Sequence, residues 1–312
     1  MDISVIIPTH NSRELLVPTL QALFAQELRA DRYEIIVLDD GSTDRSGEAV
    51  RDLASPVRLT YEWRENQGRG AARNAGARLA RGPVLLFLDA DVRPEAGFLA
   101  GHLRHHLAHR RTGVQGRTLQ APESLTTTFM RATNLLPDLT VRRRQGLSPL
   151  HVVTRNFSVA AEAFWDAGGF DEAFVGYGWE DIELALRLRQ AGVELEYEPE
   201  ALAYHHHSQR LEDLLPKLRQ AGEGAVYFWQ KHGRARWLGL FLEIHPLLLP
   251  LKWLVYRTTL ITPAIEAIRP WAERRAILPV CSECYNHLLW RAYYDGAFAA
   301  LDASRRAARA HR

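Results

Sequence analysis

Apolar runs and segments with helical spacing alternate along the N-terminal part of the chain. Residues 3–7 form a β-branched apolar run that ends at Pro8, a pattern that predicts a buried strand. Leu16 and Leu20 then begin an apolar series with helical spacing, and we expect Asn11 to cap this helix. Strand and helix therefore follow each other from the start of the chain.

The same alternation continues for several further elements. It predicts strands over residues 34–38, 57–63 and 84–88, and an alanine-rich helix over 70–80. Strands that alternate with helices in this way are typical of a mostly parallel sheet flanked by helices, and the sequence therefore predicts an α/β fold.

The pattern is mixed from about residue 92 and becomes helical after residue 208. We therefore expect an α/β domain over residues 1–208 and a helical C-terminal extension over 209–312. The most apolar part of the extension, residues 237–268, is broken by charged residues and prolines before it reaches the ~18 apolar residues of a spanning helix. Its aromatic and cationic residues fit a peripheral membrane contact, and equally a packing or homodimer contact, and the sequence leaves these alternatives open.

The composition is that of an ordinary globular protein. Hydrophobic residues make up 46% and charged residues 24% of the 312 residues, which disfavours a disordered or fibrous protein. The formal net charge of +2 gives no overall attraction to nucleic acid, so we expect no nucleic-acid partner. Cys281 and Cys284 are too few for a disulfide framework, and no signal-peptide pattern follows Met1. These features predict a cytoplasmic protein.

Polar and acidic residues stand where the predicted strands end. In open α/β sheets, ligands bind outside these carboxyl ends. Asp89 and Asp91 follow one predicted strand, and their side chains share a side if the segment stays extended. Two carboxylates so placed suit Mg²⁺ or Mn²⁺. The alternative is a loop in which one aspartate caps a helix that starts near Pro94.

A second acidic pair, Glu180 and Asp181, follows the glycine-rich stretch 176–178. A carboxylate at this place can serve as the general base that takes a proton from an attacking hydroxyl. The same pair also suits the first turn of a helix, because acids are favoured at the positive end of the helix dipole. The pair by itself is compatible with both interpretations.

Histidines recur at two places in the chain. His205 and His207 share a side of an extended segment and can supply an imidazole ligand to a divalent metal; the alternative is an ordinary surface histidine run. A second group repeats with helical spacing beside a stripe of leucines, which predicts an amphipathic helix with a titratable outer face. Its members are His102, His105, His106 and His109.

Four motifs occur in an order that resembles a known family. They are Val5-Ile6-Ile7-Pro8-Thr9-His10-Asn11, Val37-Leu38-Asp39-Asp40-Gly41-Ser42-Thr43-Asp44, Asn66-Gln67-Gly68 with Ala72-Arg73-Asn74, and Phe87-Leu88-Asp89-Ala90-Asp91. On these motifs the chain resembles family 2 inverting glycosyltransferases of the GT-A type, which have the nucleotide-diphospho-sugar transferase fold. Gly168-Gly169-Phe170-Asp171 and residues 176–184 resemble the acceptor-side region, in a form similar to a galactosyltransferase-like segment.

The resemblance implies a set of donor-site residues. Those implied to bind the nucleotide sugar are Pro8, Thr9, His10, Asp39, Asp40, Gly68, Arg73 and Asp89. Within this set the first three are implied to line the nucleobase pocket, and Asp40 to bond the base, with Asp39 as the alternative. The implied cofactor is Mn²⁺ or Mg²⁺. Its implied ligands are Asp91, Asp89 and either His205 or His207.

The resemblance also implies a reaction. A sugar passes from a nucleotide-diphosphate sugar, expected to be a UDP-sugar, to a hydroxyl of a glycan, lipid-linked or small-molecule acceptor, as in polysaccharide biosynthesis. Asp181 is the expected general base and Glu180 the residue that positions the acceptor. Two other classes are a non-catalytic nucleotide-sugar-binding scaffold and a nucleotidyltransferase. The second acidic pair disfavours the scaffold, and the lack of a glycine-rich basic loop after the first strand disfavours the nucleotidyltransferase.

Overall fold

The computed structural model describes residues 1–109, 111–133, 146–257 and 261–310. These residues form two compact units. The first unit consists of residues 1–109, 111–124, 146–175 and 180–207, and the second of residues 125–133, 176–179, 208–257 and 261–310.

The first unit contains one eight-stranded sheet among its described residues. The strands are β1 (Ile3–Thr9), β2 (Tyr33–Asp40), β3 (Arg58–Arg64), β4 (Val84–Leu88), β5 (Val92–Pro94), β6 (Thr112–Gln120), β7 (Asn156–Ala160) and β8 (Glu194–His205). Their order across the sheet is β3-β2-β1-β4-β7-β6-β8-β5. The pairs β1/β2, β1/β4, β2/β3 and β6/β8 are parallel, whereas β7 and β5 run antiparallel to their neighbours. The expected mostly parallel α/β sheet is confirmed.

The helices complete both units. In chain order they are α1 (Arg13–Phe24), α2 (Ser46–Arg51), α3 (Arg69–Leu79), α4 (Phe98–Ala108), α5 (Thr128–Thr133), α6 (Ala161–Asp166), α7 (Glu180–Gln190), α8 (Leu211–Lys231), α9 (Arg236–Phe241), α10 (Leu249–Arg257), α11 (Thr262–Arg274) and α12 (Leu278–Ala310). The described residues after Ser208 contain helices and no strand, so the predicted helical extension is confirmed as a helical region.

The central strands of the sheet are buried on both faces, and this explains the mostly apolar run at residues 3–7 of β1, where Ser4 is the one polar residue. Val5 and Ile7 belong to a core with residues of α1 and α4, whereas Ile6 belongs to a second core with residues of α6 and α7. Alternate residues of a strand point to opposite faces, so a strand covered on both sides accepts a polar side chain only where a partner satisfies it, as Glu34 Oε1 does by accepting from the Ser4 hydroxyl at 2.7 Å. The strand ends therefore become the places where polar residues gather.

One local prediction is wrong. Asn11 does not cap α1; Ser12 occupies that position, and Asn11 itself has a positive φ of 49°. The Asn11 side chain instead accepts a hydrogen bond from the backbone N–H of Thr43 at 2.8 Å. An asparagine tolerates this left-handed conformation and can bond a neighbouring loop, which here outweighs its capping preference.

In the second unit, α8 and α12 cross at two glycines. A Cβ atom on Gly222 would lie 1.9 Å from the carbonyl oxygen of Tyr293, and one on Gly296 would lie 1.9 Å from that of Arg219. Because no side chain fits at such distances, only glycine permits this close backbone approach.

The spacing predicted that the histidines of α4 form an exposed outer face, and this prediction is wrong for His102, which is buried. His102 is fully buried and donates from Nε2 to Asn156 Oδ1 at 2.8 Å, which leaves its Nδ1 to accept from Ser158 Oγ at 2.9 Å. His106 Nε2 lies 2.8 Å from the same hydroxyl oxygen and donates to it. Polar side chains on the inner face of a helix can thus find most of their partners on a neighbouring strand, although His106 Nδ1 has none among the described residues.

This network predicts that the fold loses stability in mild acid. Burial lowers the pKa of His102 to about 3 and that of His106 to about 4, from an ordinary value of 6.5. The unfolded chain therefore binds more protons than the folded chain below pH 6.5, and the stabilisation present above that pH is lost as the pH falls towards the folded values. Each histidine should contribute about 2 kcal/mol less at pH 5 than at pH 7.

Urea unfolding of His106→Gln tests this prediction. The glutamine amide can still donate to Ser158 but does not titrate, so the loss of unfolding free energy between pH 7 and pH 5 should shrink by about 2 kcal/mol. His109→Gln is the matched control, because His109 is exposed just after the same helix. An unchanged loss in His106→Gln would contradict the prediction.

Candidate active site

A small cavity lies at the carboxyl ends of β1, β2 and β4. Its volume is about 150 Å³. The lining residues are Pro8, Thr9, His10, Ser12, Asp40, Arg69, Ala72, Arg73, Asp89, Ala90 and Asp91. The structure therefore brings together most of the residues that the sequence had marked as donor-binding. Gly68 and Asp39 do not line the cavity themselves.

Asp40 is held by the start of α3. One of its carboxylate oxygens accepts from the backbone N–H of Gln67 at 3.0 Å, and the other from that of Gly68 at 2.9 Å. Gly68 has a φ of 93°, a conformation in which a side chain would be strained, and it immediately precedes the helix. Two backbone donors at a helix N-terminus stabilise a carboxylate and fix its orientation.

The Asp39 carboxylate accepts hydrogen bonds from the loop that follows it and from β3. Its Oδ1 accepts from the backbone N–H of Ser42 at 2.7 Å, and its Oδ2 accepts from the Tyr61 hydroxyl at 2.5 Å. Burial and this carboxylate together raise the pKa of Tyr61 far above its ordinary value. Of the two neighbouring aspartates, Asp40 is therefore the one that the structure leaves facing the cavity.

The end of β1 contributes a histidine and a threonine. His10 Nδ1 donates to the carbonyl oxygen of Asp40 at 2.9 Å, so the ring links the ends of β1 and β2. Thr9 is buried, and its hydroxyl has no hydrogen-bond partner within the described part of the chain. A buried hydroxyl without a partner is costly, and one that borders a cavity can be satisfied by a ligand.

Arg73 of α3 is a buried cation among three acids. Its guanidinium lies 3.0 Å from Asp89 Oδ1, 3.4 Å from Glu180 Oε1 and 3.7 Å from Asp181 Oδ1. Burial by itself would lower the pKa of Arg73, but the charges of the three acids raise it well above its ordinary value. The first acidic pair and the second are thus joined through one side chain.

The two acids of the second pair differ in their surroundings. The Asp181 carboxylate is 19% exposed and is oriented by Thr154, which donates to it from its hydroxyl at 2.5 Å and from its backbone N–H at 3.0 Å. The Glu180 side chain is only 6% exposed, and its Oε2 has no hydrogen-bond partner among the described residues. Burial and the charge of Asp181 raise the pKa of Glu180. Asp181 is therefore the accessible carboxylate of the two.

Glu180 and Asp181 also begin α7, so the structure bears out the helix-start interpretation without excluding a role in a site. For the first pair, Asp89 and Asp91, the alternative of a helix cap is not found. The segment after Asp91 is β5, which contains Pro94, and α4 begins only at Phe98. Neither aspartate of that pair caps a helix near Pro94.

Asp91 meets a histidine from β8. His205 Nε2 lies 3.3 Å from Asp91 Oδ2, and its Nδ1 bonds Gln120 Oε1 at 3.0 Å, which fixes the ring. Burial is the largest single influence and disfavours the charged carboxylate of Asp91. The hydrogen bond from His205 and the charges of His205, His207 and Arg155 together outweigh it and hold the pKa of Asp91 below its ordinary value. The His207 ring centroid lies 6.1 Å from that of His205. Across the ranges that the structure describes, no group of three or more His, Cys, Asp or Glu side chains is gathered as a preformed metal site.

Comparison with known proteins decides the family. Residues 4–168 match the model of the family described as glycosyl transferase family 2, and residues 134–239 match that of glycosyltransferase like family 2. The chain belongs to glycosyl transferase family 2. The sequence resemblance is thereby confirmed at the level of the family.

Two curated members of the family show how far the similarity extends. Validoxylamine A glucosyltransferase of Streptomyces hygroscopicus subsp. jinggangensis is 34% identical over 219 residues, which are 61% of this chain and 52% of that protein. The pre-mycofactocin glycosyltransferase of Mycobacterium tuberculosis is 30% identical over 241 residues, covering 74% of this chain and 48% of that protein. This family member thus spans about half the length of the curated relatives it matches.

Solved structures confirm the GT-A fold of this family member. The mannosyltransferase PcManGT from Pyrobaculum calidifontis, in complex with GDP-Man and Mn²⁺, matches with a TM-score of 0.62 and 19% identity over 94% of this chain and 86% of that chain. Residues 1–349 of S. aureus TarS in complex with UDP match with a TM-score of 0.54 and 16% identity over 98% and 92%.

Two supporting residues of this family 2 site were missed from the sequence. Thr154 orients Asp181 from 27 positions away, and Gln120 orients His205 from 85 positions away. Neither residue belongs to a motif, and neither follows a recognisable strand in the sequence. Only the antiparallel course of β7 and the long pairing of β6 with β8 bring them to the site.

Proposed function

We propose that the chain is an inverting glycosyltransferase that moves a sugar from a nucleotide-diphosphate sugar to an acceptor hydroxyl. The observation that carries the proposal is the position of Arg73, which contacts Asp89 in the cavity and both Glu180 and Asp181 at the start of α7. A site that only binds a nucleotide sugar has no need of a second acidic pair beside the first. The family match supports the same reaction class over a nucleotidyltransferase.

The donor side of the proposal uses the cavity. Its strand-end position is the usual ligand site of an open α/β sheet. We assign Pro8, Thr9 and His10 to the nucleobase end, where the unpartnered Thr9 hydroxyl can bond a ligand. Asp40 faces this end with a fixed carboxylate, which favours it over Asp39 as the partner of the base. Arg73 and Gly68 border the nucleotide, and the proposed donor is a UDP-sugar.

A divalent cation, Mn²⁺ or Mg²⁺, fits the residues on the opposite side of the cavity. Asp91 and His205 are a carboxylate and an imidazole held within 3.3 Å, and Asp89 lines the same cavity as Asp91 with one oxygen on Arg73. Two or three protein ligands suit a cation that takes its remaining ligands from phosphate oxygens and water. When bound there, the cation offsets the charge that develops on the departing nucleoside diphosphate.

Asp181 supplies the base of the proposed reaction. Its carboxylate takes the proton of the acceptor hydroxyl while that oxygen forms a bond to the anomeric carbon, and the bond from this carbon to the diphosphate oxygen breaks on the opposite face. The two hydrogen bonds from Thr154 hold the carboxylate in one orientation for this transfer. Glu180, buried behind it against Arg73, positions the acceptor side.

The division of the chain follows from this assignment. We propose residues 1–208 as the catalytic domain, since every assigned residue lies there, and residues 209–312 as an extension that serves contacts. The acceptor is a hydroxyl of a glycan, a lipid-linked or a small molecule. A screen of uridine, guanosine and thymidine diphosphate sugars, with nucleoside diphosphate release as the readout, tests the donor; release from none of them with any sugar acceptor would contradict the proposed function.

Metal-dependent donor binding through Asp91 is a further expected result. In calorimetry, Mn²⁺ should strengthen the binding of UDP-sugar to the parent protein, and in Asp91→Ala the factor by which Mn²⁺ strengthens binding should be at least about tenfold smaller, because second-shell changes alone cost 10–100-fold in metal affinity. Asp166→Ala is the control, because it removes an exposed carboxylate that pairs with Arg111 and does not line the cavity. Equal enhancement by Mn²⁺ in the parent and in Asp91→Ala would remove Asp91 from the metal site.

A further inference from the structure

The second unit carries an unusual amount of exposed apolar surface. Of the seventeen large hydrophobic side chains that are exposed among the described residues, eleven lie between Trp237 and Trp290. Leu247 is 73% exposed and Leu251 is 60% exposed. Single exposed hydrophobic residues are normal on a protein surface, but a concentration of this kind marks an interaction site.

The exposed residues follow the helical period. Around α10 they are Leu247, Pro250, Leu251 and Leu254, and along α11 they are Ile261, Ala264, Ile268 and Trp271. The spacings of three and four residues place the helical members of each set on one face of their helix, distinct from the positions that pack on α12, such as Ile265 and Ala272. We call these two faces together the apolar face. His287 of α12 contacts both Tyr256 of α10 and Thr262 of α11, so the two helices are neighbours where one ends and the other begins.

Exposed cations are frequent in the same part of the second unit. Exposed arginines lie just before and at the start of α9, at the end of α10 and at the end of α11; they are Arg234, Arg236, Arg257, Arg274 and Arg275. Two of the few acids in this region are already bound by other cations, since Glu243 pairs with Lys252 and Glu273 with Arg269. The guanidinium of Arg275 lies 4.9 Å from the ring centroid of Trp271. This exposed cation and this exposed aromatic ring therefore lie next to each other on the surface.

A cavity of about 580 Å³ adjoins this face within the second unit. Its walls include Leu249 and Trp253 of α10 and Phe298 of α12, and its rim carries Arg257 and Arg305. Asp302 also lines the cavity and pairs with Arg305 at 3.6 Å, and Arg257 pairs with Asp295 at 3.9 Å. The lining still has three arginines, Arg234 included, against one acid, and such an apolar recess with an excess of cations matches a molecule that has an apolar chain and an anionic head. A protein partner would have to supply its acidic groups and its apolar groups from different side chains, whereas a lipid carries both in one molecule.

We propose that the apolar face binds the surface of an anionic lipid bilayer. The helices would lie in the interface: none of those in the described part of the chain is long and apolar enough to cross a membrane, and α10 and α11 have only 9 and 13 residues. Leucine and isoleucine side chains enter the acyl region, tryptophans stay at the head groups, and the arginines meet lipid phosphates. This surface and its ligand go beyond the proposed transfer reaction.

Co-sedimentation with vesicles tests the proposal. The full-length protein should pellet with vesicles that contain phosphatidylglycerol, should remain mostly in the supernatant with vesicles of phosphatidylcholine alone, and should be released as salt is raised. Arg274→Gln/Arg275→Gln should weaken binding roughly 25-fold, because each cation near an anionic surface contributes about a fivefold gain. Leu251→Ser/Leu254→Ser should weaken it at least about tenfold and leave the thermal midpoint near that of the parent, because both side chains are exposed.

Leu107→Ser is the matched control. Leu107 is a 75% exposed leucine of the first unit, and its replacement should leave vesicle binding unchanged. A folded parent protein that stays in the supernatant with phosphatidylglycerol vesicles at low salt would overturn the proposal. So would a stable dimer whose dissociation follows Leu251→Ser/Leu254→Ser without any vesicle binding, because the apolar face would then be covered by a second copy of the chain.

Discussion

Asp181→Asn is expected to lower the turnover number by 10²–10⁴-fold, the usual effect of losing a general base. The asparagine side chain keeps the shape of the aspartate; its amide oxygen can accept from the Thr154 backbone N–H and its NH2 group can donate to the Thr154 hydroxyl oxygen, but it cannot take the acceptor's proton. Donor affinity and the thermal midpoint should therefore stay close to the parent values. Steady-state kinetics, calorimetry with the donor and thermal unfolding measure the three quantities on one preparation.

Glu180→Gln is the comparison that assigns the base. Because the Glu180 side chain is only 6% exposed and lies against Arg73, the acceptor hydroxyl should reach Asp181 instead, and the loss of turnover should be smaller than in Asp181→Asn. Near-normal turnover in Asp181→Asn with a large loss in Glu180→Gln would move the base to Glu180. A fall in donor affinity equal to the fall in rate would make Asp181 a donor-side residue.

Arg73→Met should have the largest effect on stability. The substitution leaves Asp89, Glu180 and Asp181 close together without their cation, and breaking a buried ion pair from one side costs about 3–5 kcal/mol. Chemical unfolding should show this loss. Activity should fall with it, because the same guanidinium contacts Asp89 on the proposed donor side and Asp181, the proposed base.

Two further variants separate charge repulsion from lost packing. Arg78→Met, on the same helix but 60% exposed, should change the unfolding free energy by less than about 0.5 kcal/mol. Adding Glu180→Gln to Arg73→Met removes one of the repelling carboxylates and should restore part of the lost stability. If the double variant is as unstable as the sum of both single changes, repulsion among the acids is not the cause.

The parts of the fold that follow from local pattern could be predicted. The strand β4 has the predicted bounds 84–88, and α3 begins and ends within a residue of the predicted helix over 70–80, because uninterrupted apolar runs and alanine-rich segments have few alternatives. The acids at the ends of β2 and β4 were found for a related reason. A parallel sheet brings its strand ends to one edge, so residues there meet whatever lies between them in sequence.

The parts that depend on distant partners could not be predicted. Asp39 and Asp40 look alike in sequence, and only the position of Tyr61 shows that Asp39 is engaged elsewhere. The face of α4 with histidines looked like a solvent face, because a buried histidine is recognisable only by partners such as Asn156 and Ser158 on another strand. Polar residues are ambiguous when read singly, since burial with a partner and exposure to water both satisfy them.

The meeting of Asp91 with His205 rests on strand register. His205 stands opposite Val92 in the pairing of β5 with β8, and β8 reaches that point through an irregularity in which residues 199–201 have no partner on β6. Neighbouring positions of a strand face opposite ways, so the number of residues in this bulge decides which side chain of the histidine run faces the acid. A family member whose bulge is one residue shorter would need its histidine at a position of the other parity. Aligning relatives by their histidines alone would then pair residues that lie on opposite faces of the sheet.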